Sequence, residues 1–216
     1  MRAFRVAAAA AFLFLAGGWG STGHRIINGD ATLHLPPEMA AFVAQRAWLA
    51  DSSSVADWRR SGTNGYGAVP SDAPKHYLDV DDYPEYATRS VTTDLSALIA
   101  HYGLSRVTQN GTLPWAVGEA VDTLTAAIRR RDLPKVWSTA ADLGHYVGDG
   151  HNPLHCTVDY NGRTSLPGSA GIHSRYESSM VSRHSNSITI APDTAVYVSD
   201  VVAFALGFVY DSQELV

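Results

Sequence analysis

Asp142-Leu-Gly-His-Tyr-Val-Gly-Asp-Gly-His-Asn-Pro-Leu-His155 is the stretch on which the fold turns. His145 and Asp149 stand four apart in it. On a helix that spacing puts both side chains on one face, one turn apart, where two ligands can converge on one ion. Pro153 ends that helix, and His155 follows directly after the break. Downstream, Gly171-Ile-His-Ser-Arg-Tyr-Glu177 repeats the four-residue spacing with His173 and Glu177. Imidazole and carboxylate without thiolate suit zinc in a catalytic role better than in a closed structural site. One such pair alone reads better as an ordinary helix-surface ion pair. Two pairs plus His155 within 33 residues (145 to 177) bring a metal site level with that reading.

Outward from this stretch, helical periodicity dominates. Pro36-Pro37 predicts a helix start, followed by Met39, Phe42, Val43, Ala47 and Leu49. From Pro114 to Arg131, Val117, Ala120, Val121, Leu124 and Ile128 recur at three- and four-residue spacing. Lys135 to Val147 and Ala195 to Val209 read the same way, and strand-like alternation is confined to Ser187–Ile190. Ser61–Ser71 and Tyr160–Gly171 read as loops within one domain. The expected class is all-α: a single-domain bundle of about six or seven helices.

The amino terminus adds a different signal. A basic stretch, Met1-Arg-Ala-Phe-Arg5, precedes eleven residues without a polar side chain, Val6 to Ala16. Ala16-Gly17-Gly18 then supplies small residues where a signal peptidase reads. The apolar run falls short of the roughly 20 residues of a membrane span. Residues 1–18 are therefore expected to be a signal peptide and 19–216 the mature, secreted or periplasmic domain. Removing Arg2 and Arg5 shifts the formal charge from −5 to −7 over 216 minus 18, or 198, residues. That acidity argues against a broad basic face wrapping duplex nucleic acid, but not against a metal site that receives phosphate. Cys156 is the only cysteine, so an internal disulfide is excluded.

Five motifs in order carry a family resemblance: Trp19-Gly-Ser-Thr-Gly-His24, Val55-Ala-Asp57, Pro74-Lys-His-Tyr-Leu-Asp79, the stretch from Asp142 to His155, and the stretch from Gly171 to Glu177. Together they resemble the superfamily that joins zinc-dependent phospholipases C with fungal-type single-strand-specific nucleases, over nearly the whole mature chain. The resemblance implies a bundle enclosing three zinc ions. One zinc would be held by Asp57, His76, His145 and Asp149, and a second by His155, His173 and Glu177. The third would take the freed amine and carbonyl of Trp19, His24, and the second oxygen of Asp149. Only cleavage before Trp19 would create that amine, because an amide nitrogen has no lone pair to give. Zinc brings the pKa of bound water to about 7, and Asp57 is the expected catalytic residue that orients or deprotonates the attacking water.

The implied activity is secreted phosphodiester hydrolysis. Glu177, the absence of a disulfide and the short chain favour phospholipase C, whereas the short gap from Trp19 to His24 is nuclease-like. The expected substrate is phospholipid or single-stranded nucleic acid, met by a monomer in transient contact with a membrane surface. Trp58 is a candidate to stack on a base, to meet a choline ammonium, or to pack in the core. A non-catalytic protein that keeps metals for stability is the remaining alternative. His34, His101 and His184 read as surface residues, His151 as supporting, and Cys156 as a small buried residue. Only 39 residues (216 minus 177) follow Glu177, so a C-terminal truncation is also weighed.

Overall fold

The computed structural model describes residues 20–163, 165–191 and 194–216. Its elements are all helical, and no strand occurs among the described residues. The helices are α1 (Gly20–Ala31), α2 (Ala40–Ala44), α3 (Arg46–Asp51), α4 (Val55–Ser61), α5 (Leu95–Tyr102), α6 (Leu104–Asn110), α7 (Leu113–Arg130) and α8 (Leu133–Gly150), followed by α9 (Ile172–Ser174), α10 (Val181–His184) and α11 (Val201–Gln213). Short 3₁₀ turns fill several connections, among them Pro70–His76 and Pro153–His155. No helix among the described residues is long and apolar enough to cross a membrane.

The spine is the antiparallel pair α7 and α8. Arg131 closes α7 in a left-handed conformation, and Asp132 caps α8 by accepting a hydrogen bond from the Lys135 N–H. The apolar stripe of α7 and the inner face of α8 then close over Leu78, Val80, Val107, Phe208 and Val209, which form the main core with Trp115 and Tyr146. A smaller cluster of Phe42, Leu49, Ala127, Val136 and Ala141 seals the opposite end.

Helix α8 touches α1, α3, α4, α7 and α11, so it is the element from which a site can be assembled. Two of its glycines matter for that. A Cβ at Gly144 would run into the Asn28 amide of α1, and one at Gly148 would press on Ile27 and the His24 ring. Without side chains there, α1 lies close enough for Asn28 Nδ2 to donate to the Ala141 carbonyl at 3.0 Å.

Three expectations are corrected. The helix predicted from Pro36-Pro37 is divided into a 3₁₀ turn, Pro37–Met39, and then α2 and α3, which meet at Gln45. Its apolar residues serve a shallow cluster, and the chain bends to follow it. The last helix starts at Val201 rather than Ala195, because Asp200 accepts the Ala203 N–H and sets the start there. Ser187–Ile190 forms no strand, since no partner strand exists to pair with it among the described residues.

Candidate metal centre

Eight of the nine expected ligands lie among the described residues, and the fold draws them to the middle of the bundle. His24 comes from α1, Asp57 from α4, His76 from the end of the Pro70–His76 turn, and His145 and Asp149 from α8. His155 ends the Pro153–His155 turn, His173 sits on α9, and Glu177 sits on the π-helical segment Arg175–Met180 that continues it. All but Asp57 are buried, and the Asp57 side chain retains 14% exposure. Trp19 and the proposed signal peptide lie outside the described residues. Gly20, the first of these, packs against Ser178 and the Glu177 carbonyl.

Three groups of side chains have the spacing to hold a metal ion: Asp57, His76 and His145; His24, His145 and Asp149; and His155, His173 and Glu177. In the first, His76 Nδ1 lies 3.0 Å from both His145 Nε2 and Asp149 Oδ2. His145 Nε2 lies 3.2 Å from Asp149 Oδ2, and Asp57 Oδ1 stands 3.6 Å from His76 and 3.8 Å from His145. In the last, His173 Nε2 is 2.9 Å from Glu177 Oε2 and 3.0 Å from His155 Nε2, with His155 and Glu177 3.4 Å apart. Ligands at about 2.0–2.1 Å from a tetrahedral zinc stand roughly 3.3–3.4 Å from one another. Both sets scatter around that edge length.

Asp149 links the groups. Its Oδ2 faces His76 and His145, while its Oδ1 faces His24 Nε2 at 3.3 Å. The His24 and His145 rings stack with centroids 3.8 Å apart. Despite that proximity, Asp149 Oδ1, both His24 nitrogens and His76 Nε2 are buried without a hydrogen-bond partner. Unsatisfied buried polar atoms are costly, and Asp149 Oδ1 and His24 Nε2, facing each other at 3.3 Å without a hydrogen bond, fit a donor pair built for a cation.

Carbonyl oxygens fix two of the tautomers. A carbonyl only accepts, so His145 Nδ1 donates to the Ser53 carbonyl at 2.7 Å, and His155 Nδ1 donates to the His76 carbonyl at 2.6 Å. In its neutral form each has its Nε2 lone pair facing its group, the arrangement that orients a ligating imidazole.

The charges follow the same geometry. Burial works against protonating His145, but Asp149 and Asp57 outweigh it and push its pKa up to about 9. Burial is likewise outweighed at His155, where Asp149 and Glu177 raise the value to about 9. Burial prevails at His76, which falls to about 4, and with His145 beside it lowers His24 as well. Asp149 is held well below the usual carboxylate range despite its burial, chiefly by His145 and His155. Asp57 is also lowered against its burial, by His145, His76 and Arg60. Without metal, two protons therefore offset the buried carboxylates.

A pocket of about 410 Å³ opens beside the groups and is bordered by His76, His155 and His173. Arg60, Tyr77, Asp79, Gln109, Leu154 and Tyr160 complete its wall. The sequence reading did not single these out as site residues. Arg60 had a signal, three residues after Asp57 on one helix face, and its Nη2 donates to Asp57 Oδ1 at 2.7 Å. Tyr77 and Asp79 belong to the motif around His76, and burial beside Asp81 and Asp82 raises Asp79 to about 7. Gln109 and Tyr160 had no local signal. Trp58 packs toward Tyr66 and is absent from the wall. His151 is exposed and stacks on Phe208, while Cys156 is fully buried.

What can be stated of this chain is an all-α fold with buried His, Asp and Glu groups able to hold metal ions. Comparison with protein-family models, curated proteins and solved structures finds no match.

Proposed function

We propose that this chain is a secreted, zinc-dependent phosphodiester hydrolase, and that it acts as a phospholipase C. The observation that carries the reading is the position of Asp149. Its two oxygens face different imidazoles, and His76, His155 and His173 of the neighbouring groups border one open pocket. Fully buried charged side chains are rare unless paired or bound to metal, and a purely structural site needs no pocket.

Zinc bound there would supply positive charge to phosphoryl oxygens and activate water near neutral pH. Trp19, as a free amino terminus, is proposed to complete the His24 and Asp149 group. Asp57 is the proposed catalytic residue: it is the ligand-group carboxylate that keeps solvent access, and Arg60 orients it. At the pocket wall, the Arg60 guanidinium is suited to a phosphate oxygen.

A neighbouring apolar cleft favours phospholipid as substrate. Leu154 lines both hollows, and Leu166, Ile172 and Tyr176 continue the cleft away from the imidazoles. Tyr77 and Tyr160 support a second reading, a single-strand-specific nuclease whose bases stack on the pocket's aromatic rings. The deciding experiment assays the processed, zinc-loaded protein side by side on phosphatidylcholine vesicles and single-stranded DNA. Release of phosphocholine supports the phospholipase, and cleavage of DNA alone transfers the site to the nuclease reading. Absence of both activities with zinc fully bound rejects phosphodiester hydrolysis in favour of metals kept for stability.

A further inference from the structure

Arg59 lies next to Arg60 on α4, but its side chain runs to the back of the site. Nε donates to Asp72 Oδ2 at 2.6 Å, on the 3₁₀ turn that ends in His76. Nη1 and Nη2 lie 3.5 and 3.2 Å from the Asp142 carboxylate on α8, one turn before His145. Nη2 is also 3.4 Å from the Tyr146 hydroxyl, and the Tyr146 ring meets His76 edge-on with centroids 5.3 Å apart. The Arg59 carbonyl accepts the Val69 N–H at 2.9 Å just before that turn begins. One guanidinium thus joins the three elements that carry Asp57, His76 and the His145–Asp149 pair.

We propose that Arg59 is the positioning residue of the Asp57, His76, His145 and Asp149 group, setting the mutual placement of its donor atoms without touching the ion or the substrate. A guanidinium holds carboxylates on two sides in fixed planar geometry, which an ammonium does not. Elements that meet only through tertiary packing need such a tie, because ligands held slightly apart from a tetrahedral arrangement bind metal less tightly.

The proposal rests on the metal reading, and its test separates the two. Cobalt(II) is titrated into metal-free wild-type protein and into Arg59→Met, with affinity, visible absorption and thermal midpoint recorded. Arg89→Met serves as the control: it removes ties to Asp211 and Glu214 on the side of α11, where no ligand resides. The expected result for Arg59→Met is affinity roughly tenfold to a hundredfold weaker at one site with an altered absorption band. Arg89→Met is expected to lose thermal stability alone. Unchanged cobalt affinity and spectrum in a folded Arg59→Met overturns the positioning role, whatever its thermal midpoint. If that variant fails to fold, Asp142→Asn decides in the same way: weakened binding supports the role and wild-type binding overturns it. Wild-type protein that takes up no cobalt rejects the metal reading itself, and this inference with it.

Discussion

The two ends of the candidate metal centre are built in different ways. Asp57, His76, His145 and Asp149 are spread over positions 92 apart (149 minus 57) and come from α4, a 3₁₀ turn and α8. His155, His173 and Glu177 lie within positions only 22 apart (177 minus 155), and two of them sit on successive turns of one helical segment. The distant group exists only when the bundle has closed, and Arg59 ties it from behind. The nearby group needs little more than the 3₁₀ turn at Pro153 to fold back on α9. Asp149 belongs to the first yet also faces His24, and its charge reaches His155. Metal binding should therefore act as a staple for distant elements at one end and as local reinforcement at the other.

The severest way to break this contrast is Asp149→Asn. The change weakens both groups that share the carboxylate, so zinc content should fall to about one ion per chain, retained by His155, His173 and Glu177. Activity should drop by more than the roughly hundredfold typical of losing a supporting contact. Elemental analysis of purified protein reads the first, and an assay the second; full zinc content in this variant would show that Asp149 bridges nothing.

Metal removal comes next. A site saturated at a hundred times its dissociation constant adds about 2.7 kcal/mol, or roughly 5–10 °C in a chain of this size. Chelation should lower the melting temperature by at least that much. His76→Ala should forfeit more of the metal-dependent stabilisation than His173→Ala, because it cuts the long-range staple. Scanning calorimetry with and without chelator measures both, and equal losses would erase the distinction.

Gly144→Ala offers a smaller and more selective lever. The new methyl meets Asn28 and pushes α1 away, at about 1–3 kcal/mol for overpacking. His24 should then lose its place near Asp149 while the His155 group keeps its metal. One zinc fewer per chain, with the rest retained, is the expected result.

The mildest effect is on protons. His145 and His155 have folded values near 9, raised above the ordinary 6.5. Their contribution to the metal-free protein is full below about pH 6.5 and is lost as pH rises through 9. Zinc must displace those protons, so affinity should climb with pH up to about 9, with up to two protons released near pH 7.5. His76 and His24, already lowered, should release none. Calorimetric titration in two buffers of different ionisation enthalpy counts the protons.

The long helices α7 and α8 were legible because their apolar residues recur with helical period over many turns. The divided helix at Gln45 and the late start at Val201 were not, since a bend over a small cluster and a single cap leave little periodic trace. Among the site residues, His145 with Asp149 and His173 with Glu177 announced themselves by four-residue spacing, which one helical turn converts directly into proximity. His24, Asp57 and His76 had no such local signal and were reached through resemblance.

By itself the sequence determined the helical class, the two local His–carboxylate pairs and the lack of an internal disulfide. These depend on periodicity and residue type, which survive in one dimension. The resemblance implied that Asp149 shares its two oxygens; only the tertiary structure decided which imidazole each faces, that Arg59 ties α4 to the Pro70–His76 turn and to α8, and that Tyr77, Gln109 and Tyr160 share a wall. Those facts rest on how the elements pack in three dimensions, with α1 drawn close at Gly144 and Gly148 of α8, and not on any spacing along the chain.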